Sequence, residues 1–214
     1  SRVSGDDWSN EAFPYYTCRQ LSVGEVPVRA LRVSYVGELG WEMYTSPEYG
    51  GRLWEVLWEA GQQDGLIAAG RAAFDTLRLE KGYRLWGADM HSEYRPEEAG
   101  VAFAVKTGKG PFTGRDALVN DDGGHGRRLT CLRMEDPCQL VMGKEPVIVG
   151  DAVVGYVTSA GFGYSVGESL AYAFLPVEHA MEGTEVAVEY FGDRFPATVV
   201  SEPRWDAPGA RLRA

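Results

Sequence analysis

A glutamate flanked by aromatic residues is the side chain best suited to chemistry in the stretch RVSYVGELGWEMY, residues 32–44. If residues 37–40, GELG, form a four-residue hairpin loop, Tyr35 lies directly across from Glu42 on the same face. An ionised carboxylate accepts two parallel hydrogen bonds from a planar donor pair such as a guanidinium or an aminopyrimidinone edge, and a tyrosine beside it supplies a flat apolar wall. From the spacing alone, the simpler interpretation is an exposed glutamate on a half-solvated sheet.

A serine motif offers a different chemistry. GYSVG, residues 163–167, matches the G-x-S-x-G turn that carries the nucleophile of many serine hydrolases. That serine normally sits between a strand and a helix, whereas the ESLAYAFL that follows here has the composition of a strand. His179 is the only downstream histidine, and Glu168 and Glu178 are too near in sequence to be convincing acid partners. The motif therefore predicts a glycine-rich turn between strands, with a serine hydrolase kept as an alternative.

A partial zinc motif is also present. His91, Glu93, Pro137 and Cys138 follow the first parts of the zinc deaminase signature, H-x-E and P-C. The second cysteine of that signature would stand three residues after Cys138, where this chain has Val141. Without a third ligand a zinc site is not closed, so the sequence predicts no metal site.

The composition excludes several classes of protein. The chain has 214 residues, a formal net charge of −10 and 44% hydrophobic residues, which is typical of a packed globular protein and unlike a nucleic-acid-binding surface. No window approaches the roughly 18 apolar residues of a membrane span, and the N-terminal residues lack a signal-peptide layout, so we expect no membrane contact and a cytoplasmic location. The 3 cysteines form no close pair and are predicted to be buried free thiols.

The elements that must position Glu42 follow from the hydrophobic periodicity. Period-two alternation over residues 26–44 predicts two strands and a turn. The period then changes in SPEYGGRLWEVLWEAG, where Ser46 and Pro47 are typical of a helix start. GRAAFDTLRLEKG predicts a second helix that ends near Gly82. Strands and helices in separate runs indicate an α+β fold.

The remainder of the chain indicates a β-rich domain. Residues 96–120 read as a connector with one short apolar strand, and NDDGGHG, residues 120–126, is typical of a domain boundary. Short strands at regular spacing then predict a small antiparallel barrel or sandwich. We therefore predict an α+β module at residues 1–100, a connector at 101–126 and a barrel at 127–214. The predicted inward-facing side chains of the barrel are Val153, Tyr156, Ala171, Ala173, Val186 and Val188.

Several long blocks of the sequence together resemble one known family. They are RVSYVGELGWEMY, RAAFDTLRLEKGYRLWGADM, RPEEAGVAFAVKTGKGPFTGRDAL and GYVTSAGFGYSVGESLAYAFLP. In order and extent they are similar to the folate-dependent aminomethyltransferases, which comprise the glycine cleavage T-protein and the folate domains of dimethylglycine and sarcosine dehydrogenases and oxidases. The resemblance implies a ring-like fold of two α+β modules and a C-terminal antiparallel barrel. This chain matches the hairpin-and-helix module and the barrel, and its abrupt start suggests a fragment that lacks the first module.

The resemblance also implies roles for individual residues. Glu42 corresponds to the family glutamate that pairs with the pterin ring of tetrahydrofolate, and Tyr35 to the tyrosine seven residues before it. Tyr83 corresponds to a further aromatic contact, and Trp86 is expected to close the same wall. The family's catalytic aspartate lies upstream of the residues present, so no catalytic residue is assigned. Phe74 stands where glycine cleavage members carry an arginine, which favours the dehydrogenase and oxidase branch.

The resemblance implies that the chain is the tetrahydrofolate-binding portion of a one-carbon transferase. Its parent is expected to be a flavin-linked dimethylglycine or sarcosine dehydrogenase or oxidase, with FAD in a separate domain. The expected partners are folate, an amine-derived one-carbon donor, and the missing N-terminal module or flavin domain; self-association stays open. The isolated chain is expected to be inactive. The alternatives are a stand-alone aminomethyltransferase and a non-enzymatic module with the folate-binding fold.

Overall fold

The computed structural model describes residues 2–120, 126–139 and 141–213. The chain divides into two compact units, one made of Ser1–Asp75 with Asp206–Ala214 and the other of Thr76–Trp205. Most of the predicted boundary sequence NDDGGHG, namely residues 121–125, lies outside the described residues.

A three-stranded antiparallel sheet forms the base of the first unit. Its strands, in spatial order, are β1 (Cys18–Val23), β2 (Val26–Leu31) and β3 (Glu42–Tyr44). Alternate side chains of the sheet pack in a core that also contains Phe13 and Val56. The sequence did not predict β1, because Leu21 and Val23 are its only buried apolar residues and their alternation is too short to stand out.

The predicted pairing of Tyr35 with Glu42 is wrong. β2 ends at Leu31, which is the Cα partner of Glu42, and residues 32–41 form the connection between the strands. The hairpin therefore has a long loop, and Tyr35 lies within that loop rather than on a strand.

Burial of Arg32 explains why the strand ends where it does. The Arg32 side chain is completely buried, and a buried guanidinium must find hydrogen-bond acceptors. Its Nη1 donates to the carbonyl oxygen of Gly40 at 3.1 Å, and its Nη2 donates to Asn10 Oδ1 at 2.8 Å and to the carbonyl oxygen of Leu212 at 3.3 Å. These three acceptors belong to separate segments of the first unit, which the buried guanidinium ties together directly after β2.

Both predicted helices are confirmed. A 3-10 turn at Pro47–Tyr49 leads into α1 (Gly50–Gly61), and α2 spans Arg71–Glu80. Pro47 opens the turn, as its fixed φ favours, but the side chain of Ser46 makes no capping hydrogen bond. Gly82 follows α2 with φ +71°, a left-handed conformation that glycine adopts readily and that ends the helix.

The second unit contains a closed six-stranded antiparallel barrel with the order β4-β7-β6-β5-β8-β9. Its strands are β4 (Arg127–Met134), β5 (Pro146–Val149), β6 (Ala152–Gly163), β7 (Glu168–Pro176), β8 (Glu185–Tyr190) and β9 (Asp193–Val200). The α+β fold with a small antiparallel barrel is therefore confirmed. Ala171, Ala173, Val186 and Val188 lie in the barrel core as predicted.

Two predicted inward positions of the barrel are wrong. Val153 is 67% exposed, and Tyr156 packs in a second apolar cluster that includes Leu129 and Phe174. Tyr156 is wrong by alternation alone, since the adjacent Val157 points into the barrel core. For Val153 the cause is a bulge in β6, because Val147 pairs with Gly155 while the next residue of β5 pairs with Val153. One extra residue reverses the phase of side-chain alternation, so counting by twos along β6 fails at that point.

The connector contains no strand within residues 96–120, so the predicted short strand is wrong. Its elements are 3-10 turns at Ala102–Ala104 and Thr107–Lys109 and the short helix α3 (Arg115–Val119). Gly100, Gly110 and Gly114 all have positive φ, which breaks up any extended run. Across the described part of the chain, no helix combines the length and apolar character that crossing a membrane requires.

Candidate functional site

Glu42 lies on the open face of the three-stranded sheet. Its neighbours Trp41 and Met43 pack against the core of the first unit, so alternation turns Glu42 to the opposite face. The hydroxyl of Tyr44 donates to Glu42 Oε2 at 2.7 Å. That hydrogen bond to the carboxylate raises the pKa of Tyr44 and keeps the phenol protonated as a donor.

Tyr44 is a residue that the sequence reasoning missed. The signal was available, because residues two apart on a strand point to the same face. The same open face carries a shallow cavity of about 650 Å³ whose lining includes Gln20, Arg29 and Tyr44. Glu42 does not itself line the cavity; it is a half-buried carboxylate bonded to Tyr44, which does.

Tyr35, in the loop between β2 and β3, is held by an aromatic contact with α2. Its ring stacks on Phe74 with the centroids 5.0 Å apart and the planes at 26°. The guanidinium of Arg71 lies 5.1 Å from the centroid of the Phe74 ring, and its Nε donates to Asp75 Oδ2 at 3.0 Å. Tyr35 is thus part of an ordered aromatic surface, although it is not the cross-strand neighbour of Glu42.

Tyr83 and Trp86 belong to the second unit, in residues 81–90, which we call the aromatic loop. Tyr83 is half-buried and its backbone N–H donates to the carbonyl oxygen of Arg78 at 2.9 Å, immediately after α2. Trp86 is 68% exposed. The N–H of Gly87 donates to the carbonyl oxygen of Met90 at 2.8 Å, which closes the tip of the loop.

A buried carboxylate at Asp89 anchors the aromatic loop. Asp89 is completely buried and its Oδ2 accepts from Arg78 Nη1 at 2.7 Å and from the backbone N–H of Leu85 at 2.9 Å. Oδ1 accepts from the hydroxyls of Thr158 at 2.5 Å and Ser159 at 2.6 Å, both on β6. The sequence reasoning quoted this aspartate within LWGADM but gave it no role.

A second ion pair holds the same loop. Arg84 donates from Nη1 and Nη2 to the two carboxylate oxygens of Glu202, at 2.7 and 2.6 Å, and from Nε to the carbonyl oxygen of Ala99 at 3.0 Å. These charge-assisted bonds raise the pKa of Arg84 although its burial opposes the charged form.

The serine motif occupies a strand-to-strand turn. Gly163 ends β6 and Glu168 begins β7, so no helix follows the serine as a hydrolase elbow requires. The backbone N–H of Ser165 donates to Glu80 Oε1 at 2.6 Å. The predicted glycine-rich turn between strands is confirmed.

The partial zinc motif does not assemble a metal site. The ring of His91 packs on Tyr94 with the centroids 4.1 Å apart, and Cys138 is an exposed free thiol. Among residues 2–120, 126–139 and 141–213 no group of three or more His, Cys, Asp or Glu side chains is placed to hold a metal ion.

Comparison with known sequences places both parts of this architecture in one family. Residues 1–109 match the GCVT N-terminal domain, and residues 127–206 match the glycine cleavage T-protein C-terminal barrel domain. This chain belongs to the glycine cleavage T-protein family. The resemblance drawn from the quoted sequence blocks is thereby confirmed.

Relatives in this family include both dehydrogenases and transferases. The chain is 38% identical over 204 residues to mitochondrial dimethylglycine dehydrogenase of Rattus norvegicus, with 94% of this chain and 24% of that protein aligned. Human mitochondrial sarcosine dehydrogenase is 40% identical over 186 residues, covering 86% of this chain and 20% of that protein. An aminomethyltransferase of Symbiobacterium thermophilum is 40% identical over 201 residues, covering 92% and 53%.

The solved structures agree with the family assignment. The glycine cleavage system aminomethyltransferase T of Bartonella henselae matches with a TM-score of 0.80 and 28% identity, over 89% of this chain and 52% of that chain. The chain spans about half the length of these aminomethyltransferases and about a quarter or less of the dehydrogenases.

Proposed function

We propose that this chain is the tetrahydrofolate-binding portion of a one-carbon transferase, and that it belongs to a flavin-linked dimethylglycine or sarcosine dehydrogenase or oxidase. The observation that carries the proposal is the half-buried Glu42 carboxylate on the open sheet face, with the Tyr44 hydroxyl on Oε2. The names of its relatives support the substrate class. A stand-alone aminomethyltransferase is the second candidate, supported by the similarity to the Symbiobacterium thermophilum protein.

The donor and acceptor chemistry of Glu42 fits folate. A pterin ring presents two adjacent N–H donors on one edge, and a carboxylate can accept both because its two oxygens offer about four lone-pair positions. Tyr44 occupies one of those positions at Oε2 and orients the carboxylate group. Glu42 would therefore hold and align the pterin rather than react with it.

The other candidates contribute shape. Tyr35, stacked on Phe74, presents a pre-ordered aromatic surface in the first unit. Tyr83 and Trp86 remain predicted folate contacts of the second unit. Bound tetrahydrofolate would supply the nitrogen that accepts the one-carbon unit, while the residues of each unit would help to orient the cofactor.

Calorimetry on the natural full-length protein that contains this chain tests the proposal. We expect Glu42→Gln to weaken tetrahydrofolate binding by roughly 10- to 100-fold, because the amide presents a donor to the donors of the pterin and the lost charge-assisted pair is worth about 1.5 to 3 kcal/mol. Glu59→Gln, at an exposed position of α1, is the matched control and should bind as the unsubstituted protein does. Unchanged affinity in a folded Glu42→Gln variant would make Glu42 a solvated strand residue.

A second pair of variants separates the two tyrosines. Tyr44→Phe should weaken binding by less than Glu42→Gln, because the carboxylate keeps its charge and loses one internal donor. Tyr35→Phe should have little effect if the ring acts only as a wall, whereas Tyr35→Ala should weaken binding. A flavin-binding sequence upstream in the same gene, of the G-x-G-x-x-G strand-turn-helix type, would favour the dehydrogenase parent over the stand-alone transferase.

A further inference from the structure

The aromatic loop, residues 81–90, carries two predicted folate contacts, yet its conformation is set from inside the second unit. Its backbone is bonded on both sides of the segment that joins Tyr83 to Trp86. Arg78 Nη1 donates to the carbonyl oxygen of Tyr83 at 3.2 Å, and the N–H of Leu85 donates to Asp89 Oδ2 at 2.9 Å. The ion pair of Arg78 and Asp89 therefore fixes the chain at Tyr83 and directly before Trp86.

The carboxylate of Asp89 is fully hydrogen-bonded in its buried position. It receives two donors on each oxygen: a guanidinium and a backbone N–H on Oδ2, and the Thr158 and Ser159 hydroxyls on Oδ1. A buried charge is costly unless such bonds compensate it, and a satisfied polar network specifies one arrangement of the groups it joins. The network joins α2, β6 and the aromatic loop.

The hydrogen bonds of Asp89 are better explained by positioning of the aromatic loop than by a gain in stability. A buried ion pair often adds little net stability compared with apolar side chains of similar volume. The bidentate pair of Arg84 with Glu202 already ties the loop to the chain after β9. The loop would stay attached without the additional bonds from β6 to Asp89. We therefore assign to these bonds the position of the loop.

We propose that Asp89, through its bonds to Arg78, Thr158 and Ser159, is a positioning residue that holds Tyr83 and Trp86 in the arrangement in which they bind folate. This inference rests on the proposed function. Asp89 is completely buried, so it acts through the loop backbone and not through the ligand. The hydroxyls of Thr158 and Ser159 belong to this network because they orient the Asp89 carboxylate toward the backbone N–H of Leu85.

The test uses the natural full-length protein labelled with 5-fluorotryptophan, with the fluorine resonance of Trp86 assigned by Trp86→Phe. The network variants are Thr158→Val, Ser159→Ala and Asp89→Asn; the first two keep the test valid should Asp89→Asn fail to fold. Thr130→Val is the matched control, since Thr130 is also buried in the barrel and its hydroxyl donates to the carbonyl oxygen of Arg128 instead. Thr158→Ser restores the hydroxyl and serves as the rescue.

We expect Thr158→Val and Ser159→Ala to shift or broaden the Trp86 resonance without ligand and to weaken tetrahydrofolate binding by about tenfold. Thr158→Ser should restore both signals. Thr130→Val should change neither, even when it lowers the melting temperature by a similar amount. This split separates a positioning role from a general loss of stability.

The outcomes that contradict the inference are distinct from those that contradict the proposed function. A Trp86 resonance that stays unchanged in all folded network variants would overturn the positioning role, whatever the folate affinity. A displaced resonance with unchanged affinity would overturn the role of the aromatic loop in folate binding. Failure of folate to bind the unsubstituted protein at all would instead refute the proposed function.

Discussion

The guanidinium carbon of Arg32 lies 4.6 Å from the centroid of the Trp41 ring. The Arg32 side chain is completely buried and donates to oxygens of Asn10, Gly40 and Leu212. A planar guanidinium can stack on an indole while both of its Nη atoms donate in the plane, as Arg32 does here. Arg32 therefore organises the long loop that carries Tyr35.

Arg32→Lys should destabilise the chain strongly. An ammonium cannot reproduce the stacked fork, so buried acceptors lose their donors and we expect the free energy of unfolding to fall by about 2 to 4 kcal/mol. Arg29→Lys is the control, because Arg29 is exposed on the adjacent strand β2. This substitution should change the free energy of unfolding by less than about 0.5 kcal/mol. Urea unfolding followed by circular dichroism measures both. Equal midpoints for the two variants would contradict the structural role of Arg32.

Two glycine-to-alanine substitutions should have opposite effects. A Cβ at Gly155 would overlap the backbone carbonyl oxygen of Phe174 at the β6 bulge, so Gly155→Ala should lower stability by about 2 kcal/mol or more. Gly51 in α1 has open space around its Cα, and Gly51→Ala should raise stability by up to about 1 kcal/mol. Thermal melts of the two variants provide the test. A tolerated Gly155→Ala would mean that β6 and β7 are further apart than described.

Cys131 should be chemically silent in the folded chain. Burial raises the pKa of the Cys131 thiol to about 12. Cys18 and Cys138 are exposed, so the prediction of buried thiols is wrong for these two. Because only the thiolate reacts, iodoacetamide at pH 8 should label Cys18 and Cys138 and reach Cys131 only after unfolding. Mass spectrometry of tryptic peptides identifies the labelled sites. Labelling of Cys131 as fast as Cys18 would contradict its burial.

The Cys131 thiol also makes the stability of the fold decrease as the pH becomes alkaline. Its folded-state pKa of about 12 lies above the ordinary value of 9.0, so its contribution to stability is full below pH 9. The contribution is lost as the pH rises from about 9 to about 12, because only the unfolded state then releases the proton readily. Cys131→Ala should remove this part of the pH dependence.

The sequence by itself determined most of the helices and strands, although it missed β1 and predicted a connector strand that is absent from residues 96–120. Alternation predicted β2, and short strands at regular spacing predicted the barrel. Pro47 and Gly82 marked helix limits, and glycines around Ser165 indicated a turn. These properties depend on residues a few positions apart, where period and backbone preference act directly. The quoted sequence blocks also indicated the family, because their residues and their order can be compared without knowing which residues meet in the fold.

Only the tertiary structure decided which residues meet. Glu42 pairs with Leu31 rather than with Tyr35, because β2 ends directly before the buried Arg32. One hydrogen-bond acceptor of Arg32 is the carbonyl oxygen of Leu212, 180 positions away in the sequence. Asp89 becomes the centre of a network because β6 brings hydroxyls from about 70 residues further along the chain. Strand register and the pairing of buried charges depend on residues far apart in the sequence. A local pattern of apolar and polar residues carries no information about them.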